Sequence, residues 1–192
     1  VAALGLELPA EAGERLLRYV ELLAKWNRTY NLTAIREPGE MVSHHLLDSL
    51  AVLPHLPDGA RSRVADVGAG AGLPGIPLAL ARPQWQVTLN DSSQKKCAFM
   101  RQAAIELDLR NVQVHEGRVE QWVPGEKFGI VISRAFAQLE RFIAACSHLV
   151  SPGGVLAAMT GARPQAARCT VVALRVPGLG ARRHLALCPP LA

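Results

Sequence analysis

Apolar residues recur at helical spacing in the first third of this chain, and afterwards in short strand-like runs separated by helical stretches. Pro9 and Glu11 suit a first helical turn, and Leu16, Val20 and Leu23 follow on one stripe that reaches Asn27, with Leu17 and Ala24 widening it. The segment Trp26-Asn27-Arg28-Thr29-Tyr30-Asn31-Leu32-Thr33 breaks that pattern. A second helix is predicted from Pro38 through Met41, His45, Leu46, Ser49, Leu50 and Leu53, stopping before Pro54, and Pro57-Asp58-Gly59 reads as a turn. Residues 1–60 are therefore expected to be a helical extension packed on a core formed by residues 61–192, in a single domain overall.

From Arg63 the period alternates. Val64, Ala65 and Val67 predict a strand, then a glycine turn and a helix through Ile76, Leu78 and Leu80. Further strands are predicted at 86–89, 112–114, 130–132 and 155–159, with helices over 94–107 and 139–150. Runs at 170–176 and 184–187, around Pro177-Gly178-Leu179-Gly180, predict a closing hairpin. Such alternation implies an α/β fold with a mostly parallel seven-stranded sheet, covered on both faces, whose ligands lie at the carboxyl ends of its strands.

The turn after the first strand carries the candidate chemistry. Gly68, Gly70 and Gly72 leave the backbone free to take positive φ and let a ligand approach closely. The first N–H groups of the next helix would face that ligand. Gly70-Ala71-Gly72-Leu73-Pro74-Gly75 satisfies the dinucleotide spacing G-x-G-x-x-G, and Asp91 follows Gly72 by 19 residues, where a ribose-binding acid is expected. Counted from the strand end at Gly68, however, the third glycine falls on Leu73. The sequence Asp66-Val67-Gly68-Ala69-Gly70-Ala71-Gly72 instead resembles motif I of the S-adenosylmethionine (SAM) methyltransferases, and the expected closing hairpin agrees with it, whereas a dehydrogenase is expected to need a further catalytic domain. A branched side chain at Gly70 is expected to take the cofactor's place.

Composition narrows the class further. No stretch of 18 apolar residues suits a membrane span, and no basic-then-apolar leader argues for secretion, so a cytoplasmic protein is expected. Cys97, Cys146, Cys169 and Cys188 are widely spaced and are expected to be buried thiols, without a metal site or a disulfide framework. Adjacent His44 and His45 point to different helix faces and cannot serve one metal; a hydrogen-bonded core histidine is the commoner role. Charge is unevenly placed. Residues 1–140 hold 15 Lys+Arg against 16 Asp+Glu, whereas residues 141–192 hold six arginines and no acid. That asymmetry fits contact with a polyanion or a solvated arginine-rich face about equally well.

Five motifs in order make the reading specific: Asn31-Leu32-Thr33; His45-x-x-Asp48-Ser49; Asp66-x-Gly68-x-Gly70-x-Gly72-Leu73-Pro74-Gly75-Ile76-Pro77; Ser133-Arg134-Ala135-Phe136; and Arg183-His184-Leu185. Together they resemble the small-subunit ribosomal RNA methyltransferase G family, also called glucose-inhibited division protein B. The resemblance implies a bacterial cytoplasmic enzyme that moves the methyl of SAM to N7 of one guanine in 16S ribosomal RNA or the small ribosomal subunit; a monomer without metal is expected. It places Gly68, Gly70 and Leu73 on the cofactor, Val119 and Glu120 at its adenine, Asp91 at its ribose, and Arg134 in the cofactor region. Arg163, Arg182 and Arg183 are the expected RNA contacts. Thr160-Gly161 stands where the family often has Lys-Gly, and the interval 161–171 is short for it. A small-molecule methyltransferase and a non-enzymatic nucleotide-binding protein share the cofactor half of this reading. Asp48 and Glu120 are the acids available to stabilise a guanine as it becomes cationic.

Overall fold

The computed structural model describes residues 2–57, 59, 62–134, 136 and 138–191. Asp58 of the expected turn and Ala135 of the Ser-Arg-Ala motif lie outside them. Seven strands form one sheet: β1 (Arg63–Val67), β2 (Gln86–Asp91), β3 (Val112–Glu116), β4 (Phe128–Ser133), β5 (Val150–Thr160), β6 (Thr170–Leu174) and β7 (Arg183–Cys188). Their order is β3-β2-β1-β4-β5-β7-β6. The first five run parallel, and β7 inserts antiparallel between β5 and β6. Chain order reverses at β1, whose carboxyl end lies beside that of β4, and this is where a doubly wound sheet opens a crevice.

The helices are α1 (Ala12–Tyr30), α2 (Pro38–Met41), α3 (Asp48–Leu50), α4 (Gly75–Ala81), α5 (Gln94–Glu106) and α6 (Leu139–Cys146). α1 buries the expected Leu16, Val20, Leu23 and Asn27 and runs through the supposed break, ending where Asn31 takes a left-handed conformation (φ 50°). The second expected helix is a continuous helical run interrupted by a π segment, Val42–Leu47, between α2 and α3. Such wide turns are rare and concentrate at functional sites; this one carries His44 and His45. In α5 the buried side chains are Cys97, Phe99, Met100 and Ala103, so the stripe falls one position away from Ala104. The helix predicted over 139–150 ends at Cys146 and finishes in a tight 3₁₀ turn, Ser147–Leu149.

The preface helix is tied to the glycine turn. Tyr19 is fully buried, and its hydroxyl donates to the carbonyl of Ala71 at 2.7 Å. Burial raises the Tyr19 pKa, so the phenol stays a neutral donor at any ordinary pH. Trp26 packs edge-on to Phe99 of α5, ring centroids 5.6 Å apart, and Arg15 Nε donates to the carbonyl of Leu107 at 3.1 Å. Among the described residues no helix is long and apolar enough to cross a membrane.

One cysteine expectation is corrected. Cys169 and Cys188 form a disulfide, while Cys97 and Cys146 are buried thiols. Pairing of Thr170 with Leu187 brings the flanking residues of β6 and β7 face to face, Cα atoms 4.3 Å apart. Nothing in a 19-residue separation announces that contact; it follows from the hairpin register.

Candidate active site

Asp66 sits one residue before the carboxyl end of β1, fully buried, and does its work through the helix that follows. Its Oδ2 accepts the Gly75 N–H at 2.7 Å, capping the first turn of α4 and fixing the loop between them. Its Oδ1 has no hydrogen-bond partner among the described residues. Burial pushes the Asp66 pKa up to about 7, against the Gly75 N–H and the charge of Arg134. The folded protein therefore keeps this proton to about pH 7, whereas an unfolded Asp loses it near pH ~3.9. Stability contributed here falls as pH rises through that interval. His45 acts oppositely: burial and Arg134 lower its pKa to about 4, so its contribution is lost as pH falls from about 6.5 toward 4. Asp66→Asn keeps an acceptor for Gly75 and deletes the first slope. Its melting temperature should consequently climb more steeply between about pH 4.5 and 6.5 than that of the unaltered protein; parallel curves in a calorimetric pH series would assign the buried proton elsewhere.

The glycine turn opens on a cavity of about 400 Å³ at the carboxyl ends of β1, β2 and β3. Gly68 (φ +68°), Asp91, Lys96, Val119, Glu120 and Phe136 line it. A Cβ on Gly68 would meet nothing within 4 Å, so the space beside that backbone is open. Asp91 ends β2 with 6% exposure; its carboxylate accepts the N–H of Ser93 at 2.9 Å and of Gly70 at 3.0 Å, and Lys96 Nζ lies 3.5 Å away. The acid is thus locked in one orientation, with lone pairs left for a ligand's hydroxyls. Asn90 braces the same strand end, donating to the carbonyl of Gly117 at 2.9 Å. Behind it His115 stacks on Trp122, centroids 4.4 Å apart.

The expected cofactor residues do not all meet at this cavity. Gly68, Asp91, Val119 and Glu120 line it. Gly70 reaches the site through its N–H on Asp91, and the Leu73 side chain is buried in the core at 2% exposure. Arg134 points elsewhere. Asn90, Lys96 and Phe136 also line the cavity, although none of them was among the expected cofactor residues; Lys96 is half-buried.

Arg134 belongs to a second cavity, about 430 Å³, at the ends of β4 and β5 and the start of β7. Thr33, His45, Asp48, Arg134, Thr160 and Arg183 line it. Asp48 is its anchor: at 2% exposure it receives Arg183 Nε on Oδ1 at 3.1 Å and faces Arg134 with Oδ2 at 3.5 Å. Burial raises the Asp48 pKa while the two guanidiniums oppose the rise. Arg134 also donates to the carbonyl of His44 at 3.2 Å and toward His45 Nδ1 at 3.3 Å. With Nδ1 accepting, the imidazole proton sits on Nε2 and is donated to Thr33 Oγ1 at 2.8 Å. Thr33 is held in turn by its N–H on Asn27 Oδ1 at 2.9 Å. Four of the five sequence motifs therefore serve this one network or its walls. Arg163 and Arg182 are exposed and lie outside both cavities' linings. Residues 161–169 carry no helix.

A seven-stranded sheet of this order, with a glycine turn after β1 and an acid ending β2, defines a SAM-dependent methyltransferase fold. The same fold is seen in precorrin-6y C5,15-methyltransferase from Geobacter metallireducens (TM-score 0.57, 15% identity, 73% of this chain and 87% of that one). It is also seen in a SAM-dependent methyltransferase from Aquifex aeolicus (TM-score 0.57, 16% identity, 77% and 92% covered). Residues 12–170 match the family model of rRNA small subunit methyltransferase G, and the chain belongs to that family. Relatives named ribosomal RNA small subunit methyltransferase G include one from Methylobacillus flagellatus, 51% identical over 98% of this chain and 94% of its own length. Another, from Ralstonia nicotianae, is 50% identical over 99% and 92%.

Proposed function

We propose that this protein transfers the methyl group of SAM to N7 of one guanine in 16S ribosomal RNA, acting as a monomer in the bacterial cytoplasm. The observation that carries the reading is the pair of cavities along one sheet edge, with Arg134 lining one and Phe136, two residues on, lining the other. Family membership and the names of the relatives support the same substrate class. Residues 1–60 then serve as a support for the glycine turn, through Tyr19 and Ala71, within one folding unit.

The first cavity fits an adenosine. Asp91 would take the ribose hydroxyls, Val119 and Glu120 the adenine, and the open backbone at Gly68 would allow close approach. Gly70 orients Asp91 rather than filling a contact of its own. When bound, SAM supplies a methyl made electrophilic by its sulfonium. The chain's own task is alignment. Guanine N7 has an in-plane lone pair and no proton to lose, so a general base is not required. Holding N7 about 3–3.5 Å from the methyl carbon, in line with the departing sulfur, gives most of the available rate. His45, neutral near pH 7, and Asp48 keep Arg134 and Arg183 fixed meanwhile.

Outside the cavities, Arg163 and Arg182 would meet RNA phosphates, a role that their exposure supports. Their joint replacement by Ala should lower the slope of log affinity for 16S RNA against log salt by about one to two, each phosphate contact being worth ~0.7–0.9. An unchanged slope makes them ordinary surface arginines. The reading as a whole is tested by incubating the protein and SAM with 16S RNA or small subunits from cells lacking the modification, then mapping methylated nucleotides by mass spectrometry. One N7-methylguanosine is expected; none, or transfer only to small metabolites, contradicts it.

A further inference from the structure

Arg183 differs from the other carboxyl-terminal arginines in what surrounds it. Its side chain is only a quarter exposed, and its charge is compensated by the buried Asp48 carboxylate. Two of its donors are committed: Nε to Asp48 Oδ1 and Nη1 to the carbonyl of Arg182, both at 3.1 Å. Nη2 makes no hydrogen bond among the described residues, yet the residue lines the second cavity. A recessed, charge-compensated guanidinium with donors in reserve is poorly suited to drawing in phosphates. It is well suited to reading an acceptor by direction.

We infer that the second cavity seats the target guanine and that Arg183, aligned by Asp48, selects it by donating from Nη2 to O6. This rests on the methyl-transfer reading above and adds to it the residue that tells guanine from adenine. Guanine presents O6 and N7 as acceptors on one edge, whereas adenine presents an N6 donor in place of O6. Arginine commonly meets O6 and N7 together, but here N7 must stay open to the methyl, so contact falls on O6 alone. That leaves N7 to turn toward the stretch of chain whose Arg134 lines this cavity and whose Phe136 lines the glycine-turn cavity. Asp48 is a positioning residue in this scheme. It touches Arg183 and Arg134 and fixes the direction of the donor.

The test compares 16S RNA carrying guanine at the methylated position with the same RNA carrying 2-aminopurine there, which keeps N7 and lacks O6. The unaltered protein should prefer guanine in kcat/KM by about tenfold to a hundredfold, the span of one good base contact. Arg183→Gln should lose most of that preference while its SAM affinity and the salt slope of RNA binding stay unchanged. Arg183→Lys keeps a cation beside Asp48 and guards against misfolding in the first variant; it should also lose preference, because a point charge lacks the guanidinium fork. Asp48→Asn should weaken the preference without abolishing it. Full preference in folded Arg183→Gln and Arg183→Lys overturns this assignment and leaves the methyl-transfer reading intact. A matching fall in SAM affinity assigns the cavity to the cofactor and overturns it as well. If the unaltered protein methylates no guanine at all, both readings fall together.

Discussion

Gly68→Val should abolish SAM binding at ordinary concentrations while leaving the protein folded. Gly68 holds φ at +68°, a conformation that a β-branched residue resists, and its Cβ direction opens into the cavity. A valine there must either distort the turn or occupy the space beside Asp91 and Phe136. Either result is expected to weaken SAM binding about a hundredfold or more, equivalent to ~2.7 kcal/mol. Strain from one left-handed residue costs only about 1–2 kcal/mol, within what a domain of this size tolerates. Titration calorimetry with SAM, beside a thermal melt, separates the two effects. Gly70, which the glycine spacing alone marks as the sensitive position, takes φ +61° and is not among the residues that line the cavity. Equal affinity in Gly68→Val would remove the cofactor from this turn.

The second large effect concerns folding. Gly75→Ala should destabilise the protein by about 1–3 kcal/mol, although Gly75 is helical and alanine is ordinarily the better helix former. A Cβ on Gly75 would collide with Leu89 Cδ2 and lie 2.8 Å from Asp66 Oδ2. Leu89 is fully buried in β2, and Asp66 is held by the very N–H that Gly75 donates, so neither neighbour can withdraw without loss. The clash pushes α4 away from the sheet and breaks the cap at its first turn. Denaturant unfolding of the two proteins measures the difference directly. A stability gain would mean that the helix–sheet contact here is loose.

What could be read from the sequence was whatever depends on local pattern. The strand–helix alternation after Arg63 and the reversal into a closing hairpin are periodic signals, and the seven-stranded sheet carries both. Asp91 was visible because an acid at a strand end has a fixed distance from the glycine turn. The second cavity was visible only in fragments. Asp48 and Arg183 are 135 residues apart, with His45 and Arg134 equally scattered along the chain, and only the sheet order brings β7's first residue to an acid in the preface. The family resemblance put Arg134 in the cofactor region; Asp48 and the His44 carbonyl hold it at the neighbouring cavity. Arg183 was grouped with Arg163 and Arg182 because charge counts do not distinguish a paired arginine from a solvated one. Lys96 carried no sequence signal, because only its long stem brings the amine back to Asp91. The Cys169–Cys188 bond depends on hairpin register, which composition does not encode.

In the proposed mechanism the adenosine site beside Gly68 and the guanine site beside Asp48 share one edge of the sheet. A crystal of the protein grown with S-adenosylhomocysteine and a guanosine nucleotide reports on both at once. Density for the adenosine should lie between Gly68, Asp91 and Val119, with the purine against Arg183 and its N7 facing the sulfur. Adenosine density in the Arg183 cavity, or none beside Asp91, would contradict it.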